Sequence, residues 1–163
     1  MDVAIHNGAL PDSNLIARKI AATPVVTVAT PSYLARHGEP ATPRELDGHA
    51  CIIFVSGGTP RAWGFNGRFG GVAYEPRGAF RTHDAEQIRS AVLADLGLAH
   101  APGWLFTAEI ESGAVCRVLR DHEPDDLPIS AVHAGGRRLA TKVRVFIDFL
   151  AEIFAEEPSL AIR

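Results

Sequence analysis

An α/β fold is predicted by three observations. Strand-like and helix-like runs alternate along the 163 residues, which is the order expected of helices packed on a sheet. The segment Asp84 to Gly97 carries helix signals at both ends. The composition, 47% hydrophobic and 21% charged, is that of a globular chain. Its length suits one domain or two small lobes. The alternation itself predicts a largely parallel sheet.

Asp2–Ile5 reads as a short strand ending in the turn His6-Asn7-Gly8. Val25–Ala29 is a β-branched strand stopped by Thr30-Pro31. From Thr30 the chain forms a short helix punctuated by prolines, then enters Cys51–Val55, an uninterrupted apolar run suited to a strand buried on both faces. Trp63–Phe65 and Val72–Tyr74 flank Asn66-Gly67 and Gly70-Gly71, which predicts an antiparallel hairpin.

Asp84 is a good N-cap, and Gln87 three residues on completes a capping-box pattern. Ile88, Ala91, Val92 and Leu96 repeat at helical spacing, and Gly97 is the expected left-handed stop. Leu98–Ala101 is a strand ended by Pro102, Pro102 to Gly113 a second helix, and Ala114–Leu119 a strand. The acidic stretch Asp121 to Asp126 is a loop, followed by the strand Ile129–His133. In the last helix, from about Leu139 to Ala155, the apolar positions cover roughly 200° of arc. That is about twice the stripe a surface helix needs, so this helix should bury two sides.

Net charge is −3 without a basic tract, which disfavours nucleic acid, whose affinity depends on neutralising phosphates. No apolar run approaches a bilayer span, and Met1 to His6 does not read as a signal peptide. A cytoplasmic location is expected, with no membrane partner. Cys51 and Cys116 sit in apolar runs without ligand spacing, so buried thiols are expected rather than a disulfide or metal site. Catalysis has little support. His83 and Asp84 are adjacent and cannot easily form a relay, Ser56 lacks a nucleophile elbow, and Cys51 lies mid-strand. Neither an enzyme nor a cofactor is expected.

One pattern goes further. Pro31, Tyr33, Leu34, His37, Gly38, Pro40, Pro43, Leu46, His49 and Cys51 are spaced as in the effector-binding domain of LysR-type transcriptional regulators, at the start of its second lobe. Asp2-Val-Ala-Ile, Leu15-Ile-Ala-Arg-Lys, Asp84 to Pro102 and Arg138 through Phe154 follow the same family in order. The resemblance implies two lobes joined by crossing strands, as in a periplasmic binding protein. Residues 1–30 would be a partial first lobe with one crossing strand, 31–128 a complete second lobe, and 129–163 the second crossing strand and closing helix. The family's DNA-binding helices and its first strand–helix–strand units would precede Asp2. The implied function is sensing of a small organic or anionic effector, without direct DNA binding by this chain. The alternative is an oligomerisation module that senses no ligand.

Candidate effector contacts fall at carboxyl strand ends, where open α/β sheets bind ligands, and at one helix N-terminus. They are His6 and Asn7, Thr30, Ser56 and Gly57, Thr82, His83 and Asp84, and Ala101 and Pro102. Ser56-Gly57-Gly58-Thr59 reads as a flexible loop with two hydroxyls. Thr82-His83-Asp84 opens a helix, whose N-terminus favours anions. In the resembled family the last helix returns to the first lobe. A homo-oligomer is expected through this helix, with Val145 and Phe149 as contacts.

Overall fold

The computed structural model describes residues 3–8, 15–67, 70–134, 141–157 and 160. Its strands run, in chain order, β1 (Ala4–Asn7), β2 (Leu15–Thr23), β3 (Val25–Ala29), β4 (Ile53–Ser56), β5 (Thr59–Pro60), β6 (Trp63–Gly67), β7 (Gly70–Tyr74), β8 (Arg81–Thr82), β9 (Ala99–Pro102), β10 (Cys116–Val118) and β11 (Leu127–Ala134). The α-helices are α1 (Pro31–His37), α2 (Ala85–Leu93), α3 (Thr107–Ser112) and α4 (Thr141–Glu156). Asp2, predicted to open the first strand, and Leu139, predicted to open the last helix, lie outside the described residues.

The chain divides into two compact units, residues 1–24 with 126–163, and residues 25–125. In the first unit, β11 lies between β1 and β2, antiparallel to both. Helix α4 covers this sheet. Val143 and Ile147 are buried with Ile20, Ala21, Ile129 and Ala131, and Leu150 and Phe154 pack on the same cluster. These four α4 positions are spaced by four, three and four residues, a stripe along one helix face. Arg18 of β2 pairs with Asp148 of α4. The expectation that α4 buries two sides holds only for this one. Val145 (60% exposed), Phe146, Phe149 (53%) and Ile153 stay open to solvent.

The second unit holds a sheet in which β3 lies between β10 and β9, antiparallel to both. Val25–Ala29 is therefore the middle strand of this sheet. Its period-2 alternation divides its side chains between two cores. Val26 and Val28 join Ile52, Ile88, Val92 and Phe106, whereas Ala29 joins Tyr33, Leu46, Cys51, Trp63, Phe65 and Leu98. A second sheet of the same unit places β4 between β5, antiparallel, and β8, parallel. The backbone at Cys51 bridges in parallel to Leu98, and Ile52 N–H donates to the Leu98 carbonyl at 2.8 Å. Of the expected strand Cys51–Val55, buried on both faces, Cys51, Ile52 and Ile53 are buried, but Phe54 and Val55 are only partly so and the strand itself is Ile53–Ser56; α2 packs on it through Ile88 and Val92.

Four local expectations are corrected. The sheets are mostly antiparallel; among named strands only β4 and β8 pair in parallel. Element alternation does not fix strand direction, and β3 runs opposite to both its neighbours. Helix α2 stops at Leu93, before Gly97, because Asp95 takes the left-handed conformation (φ 60°). An Asp tolerates that conformation, and here its carboxylate accepts from Thr30, Ser32 (2.6 Å) and Arg36 (2.8 Å). Gly97 is required for a different reason, since a Cβ there would lie 2.2 Å from the Ala50 carbonyl oxygen. The single helix expected over Pro102 to Gly113 is a 3-10 turn, Gly103–Phe106, followed by α3. The acidic loop begins with another 3-10 turn, Arg120–His122. The expected hairpin of β6 and β7 forms, Phe65 opposite Val72, as a two-stranded sheet of its own.

Candidate functional site

Of the two loops expected to contact a ligand, the first is not a flexible loop. Ser56 and Thr59 face each other across the β4–β5 ladder, and Gly57 and Gly58 have φ of 58° and 82°. Two consecutive residues at positive φ make a type I′ hairpin turn, a conformation glycine adopts without steric cost. Neither glycine would bring a Cβ within 4 Å of any other atom, so the turn borders open space.

The second loop is set beside it by the parallel pairing of β4 and β8, which places Ile53 opposite Arg81 and Phe54 opposite Thr82. Alternation then buries Thr82 and leaves Arg81 and His83 exposed. Thr82 organises the turn into α2. Its hydroxyl donates to Gln87 Oε1 at 2.6 Å and accepts from the Asp84 N–H at 3.1 Å. Asp84 caps the helix by accepting the Gln87 N–H at 2.9 Å. The capping box is thus half-formed, because Thr82 takes the Asp84 N–H that Gln87 would have taken.

Together these elements border an open surface pocket of about 520 Å³, lined by Val55, Gly57, Gly58, Arg81, Thr82 and His83. Gly57, Thr82 and His83, chosen from two separate stretches of sequence, share its wall. Ser56 and Asp84 flank it without lining it. Gly58, of the same candidate loop, also lines it; Val55 and Arg81 were missed. Arg81 sits on β8, a two-residue strand that the sequence pattern does not announce.

The other candidates lie elsewhere. Thr30 is nearly buried; its hydroxyl accepts from the Tyr33 N–H at 3.1 Å, capping α1, and donates to Asp95. Ala101 is a core residue of β9, and Pro102 ends that strand opposite Val25. His6 and Asn7 belong to the first unit, on β1 opposite Ser130 and Ile129. No cluster of three or more potential metal ligands occurs among the described residues.

A second polar feature lies inside the same unit. His100, on β9 opposite Thr27, stacks on Trp63 (centroids 5.4 Å apart) and tilts against Phe65 (4.8 Å). Its Nδ1 lies 2.9 Å from the Thr27 hydroxyl, and it shares a hydrogen bond with the Gly64 backbone. Burial pushes its pKa down to about 4, so the ring is neutral near neutral pH. Cys51 is likewise shielded, its thiol pushed up to about 11 by burial. That is the behaviour of an inert core cysteine.

Comparison with known proteins places this architecture. The sequence model of the LysR substrate binding domain matches residues 1–155. The transcriptional regulator CrgA of Neisseria meningitidis is 32% identical over 153 residues, covering 93% of this chain and 51% of its own. The transcriptional activator AaeR of Escherichia coli is 31% identical, covering 96% and 50%. Among solved structures, the CrgA regulatory domain superposes with a TM-score of 0.79 at 31% identity, over 93% of this chain and 74% of that one. Full-length AphB of Vibrio cholerae gives 0.78 at 30% identity, over 93% and 51%. The chain spans about half the length of the curated relatives it matches. With the family model covering nearly its whole length, the chain belongs to the LysR-type regulators as a substrate-binding domain of the periplasmic-binding-protein-like fold.

Proposed function

We propose that the chain is the effector-sensing part of a LysR-type transcriptional regulator, and that the pocket bordered by the β4–β5 turn and β8 seats a small-molecule effector. The observation that carries this reading is the convergence of Gly57, Thr82 and His83, with Arg81, on one pocket. Its volume lies within the usual range for small-molecule sites, and it combines an apolar wall with a few polar groups. Binding there would favour one of two arrangements of the regulator, to the extent that affinity differs between them. The domain acts as a binding module, not as an enzyme. We place it in the cytoplasm, where its family works on DNA, and expect DNA contact to be made by other parts of the regulator.

Thermal unfolding across a panel of small metabolites tests this. At least one compound should raise the melting temperature of the wild type, and Val55→Phe, which fills the pocket, should suppress that rise. Stabilisation that survives Val55→Phe would place the ligand elsewhere.

A second reading rests on α4. Four large apolar side chains, Val145, Phe146, Phe149 and Ile153, are each more than two-fifths exposed on one helix. Such a surface invites association, and a second copy would cover it through a twofold contact. The two readings are compatible, since a regulator can sense and self-associate through different units.

A further inference from the structure

We infer that the stretch from α1 to Ala50 carries a proton-sensitive latch, in which neutral His49 holds the buried Tyr33 hydroxyl and protonated His49 releases it. None of the latch residues lines the pocket described above, and the latch does not depend on a ligand there. Tyr33 is 2% exposed, and its hydroxyl oxygen accepts the Ala50 N–H at 3.0 Å. The hydroxyl proton of such a buried group needs an acceptor of its own. His49 Nδ1 stands at 3.4 Å, and no other acceptor meets the Tyr33 hydroxyl among the described residues. Donation in that direction requires a bare Nδ1, with the ring proton on Nε2. Backbone amide, phenol and imidazole thus form a one-way chain that a neutral ring completes. Its last bond is long, and so easily lost.

A second proton on the ring breaks the chain. With hydrogen on Nδ1 the imidazolium can only donate, so the Tyr33 hydroxyl proton is left without an acceptor inside the fold, which is costly. The groups around His49 act in both directions. His37, stacked on the Tyr33 ring with centroids 4.4 Å apart, repels a charge on His49, whereas Glu45 of the 3-10 turn Pro43–Gly48 attracts one. Glu45 is already engaged by the Ala41 N–H and the Thr42 hydroxyl. Burial first, then His37, holds the His49 pKa below the ordinary histidine value. Arg36 acts on Tyr33, and Asp47 accepts the Tyr74 hydroxyl at 3.1 Å and acts on the Cys51 thiol. A lowered folded value means that the latch is complete above about pH 6.5 and is lost as the pH falls through the folded value. Release is local. Asp95, held below the usual carboxylate range by Ser32 and Thr30, stays charged and keeps α1 pinned through them and Arg36. Leu46, fully buried, anchors the 3-10 turn in the core that Tyr33 shares. What opens is the contact between Tyr33 and the His49–Ala50 stretch.

Hydrogen exchange at the Ala50 amide, expressed as a protection factor, reads the latch in the wild-type chain. Between about pH 7.5 and about pH 5 its protection should fall about tenfold, the worth of one hydrogen bond. The amides of Ile88 and Val92 in α2 should keep theirs. At neutral pH the nitrogen chemical shifts of His49 should show its proton on Nε2. His49→Gln, whose side-chain carbonyl accepts without titrating, should keep Ala50 protected at both pH values. Tyr33→Phe should leave it unprotected at both. A His49 ring protonated on Nδ1 at neutral pH, equal wild-type protection at the two pH values, or an equal fall in His49→Gln would overturn the latch. A parallel loss at Ile88 and Val92 would overturn it too, because the event would then be global unfolding.

Discussion

The sharpest energetic consequence of the fold concerns His100. Its ring is held neutral between Trp63 and Phe65, with Thr27 and the Gly64 backbone as hydrogen-bond partners. The folded pKa is about 4, against about 6.5 for an unfolded histidine. A depressed folded pKa means that the unfolded state takes up the proton first. The contribution is complete above about pH 6.5 and is lost as the pH falls toward 4. The full difference corresponds to roughly 3.4 kcal/mol, and linkage over the interval from about pH 7 to 5 gives about 1.8 kcal/mol. Stacking of a protonated ring on Trp63 recovers part of this through a cation–π contact, and part of the residue reaches solvent, so about 1–2 kcal/mol is the expected loss. His49, also lowered, first by burial and then by repulsion from His37, adds in the same direction. Urea unfolding followed by tryptophan fluorescence isolates the relevant unit, because both tryptophans, Trp63 and Trp104, lie within residues 25–125. The double variant Thr27→Val/His100→Phe removes both hydrogen-bonding side chains together and should flatten most of the pH dependence. Equal wild-type stability at the two pH values, or an undiminished loss in the double variant, would refute the buried-neutral account.

Further expectations follow from α4, the α2–β9 turn and the thiols. Val145→Glu/Phe149→Glu should convert a wild-type oligomer to monomer by light scattering; a wild type that stays monomeric at high concentration contradicts the proposed contact. Gly97→Ala should cost about 3 kcal/mol or more in denaturant unfolding, because its Cβ would meet the Ala50 carbonyl oxygen at 2.2 Å in a backbone region that disfavours side chains. Asp95→Gly should melt above Asp95→Ala, since both lose the bonds to Thr30, Ser32 and Arg36 but only glycine accepts a φ of 60° without strain. Iodoacetamide at about pH 8 should leave Cys51 unmodified in the folded protein while Cys116 reacts sooner, as read by peptide mass spectrometry; burial holds the Cys51 thiol near 11.

Where the chain's local chemistry and its packing agree, the fold was legible in the residues. The Asp84 cap, the spacing of Ile88, Ala91 and Val92, and the turn between Trp63 and Tyr74 each specify their own element. Strand direction was not legible in this way. The antiparallel placement of β3 depends on which strands it meets, Ala99–Pro102 and Cys116–Val118, and no local pattern encodes that. The early stop of α2 was hidden because Asp95 takes a glycine-like conformation that is stabilised by partners some 60 residues away. The site was half visible. The helix start picked out Thr82 and His83 and strand-end position picked out Gly57, but strand-end position also picked out Thr30, whose hydroxyl is committed to α1 and Asp95, and Ala101, which alternation turns into the core. Arg81 required the β4–β8 pairing before its side of the strand acquired meaning.

The central claim, that the pocket beside the β4–β5 turn seats the effector, is tested most directly by amide chemical-shift mapping. The compound is the one that gives the largest thermal stabilisation of the wild-type chain. The account predicts saturable shifts concentrated at Gly57, Gly58, Arg81, Thr82 and His83, and their loss in Val55→Phe. Saturable shifts confined to β1, β2, β11 or α4, with these five amides unmoved, would contradict it.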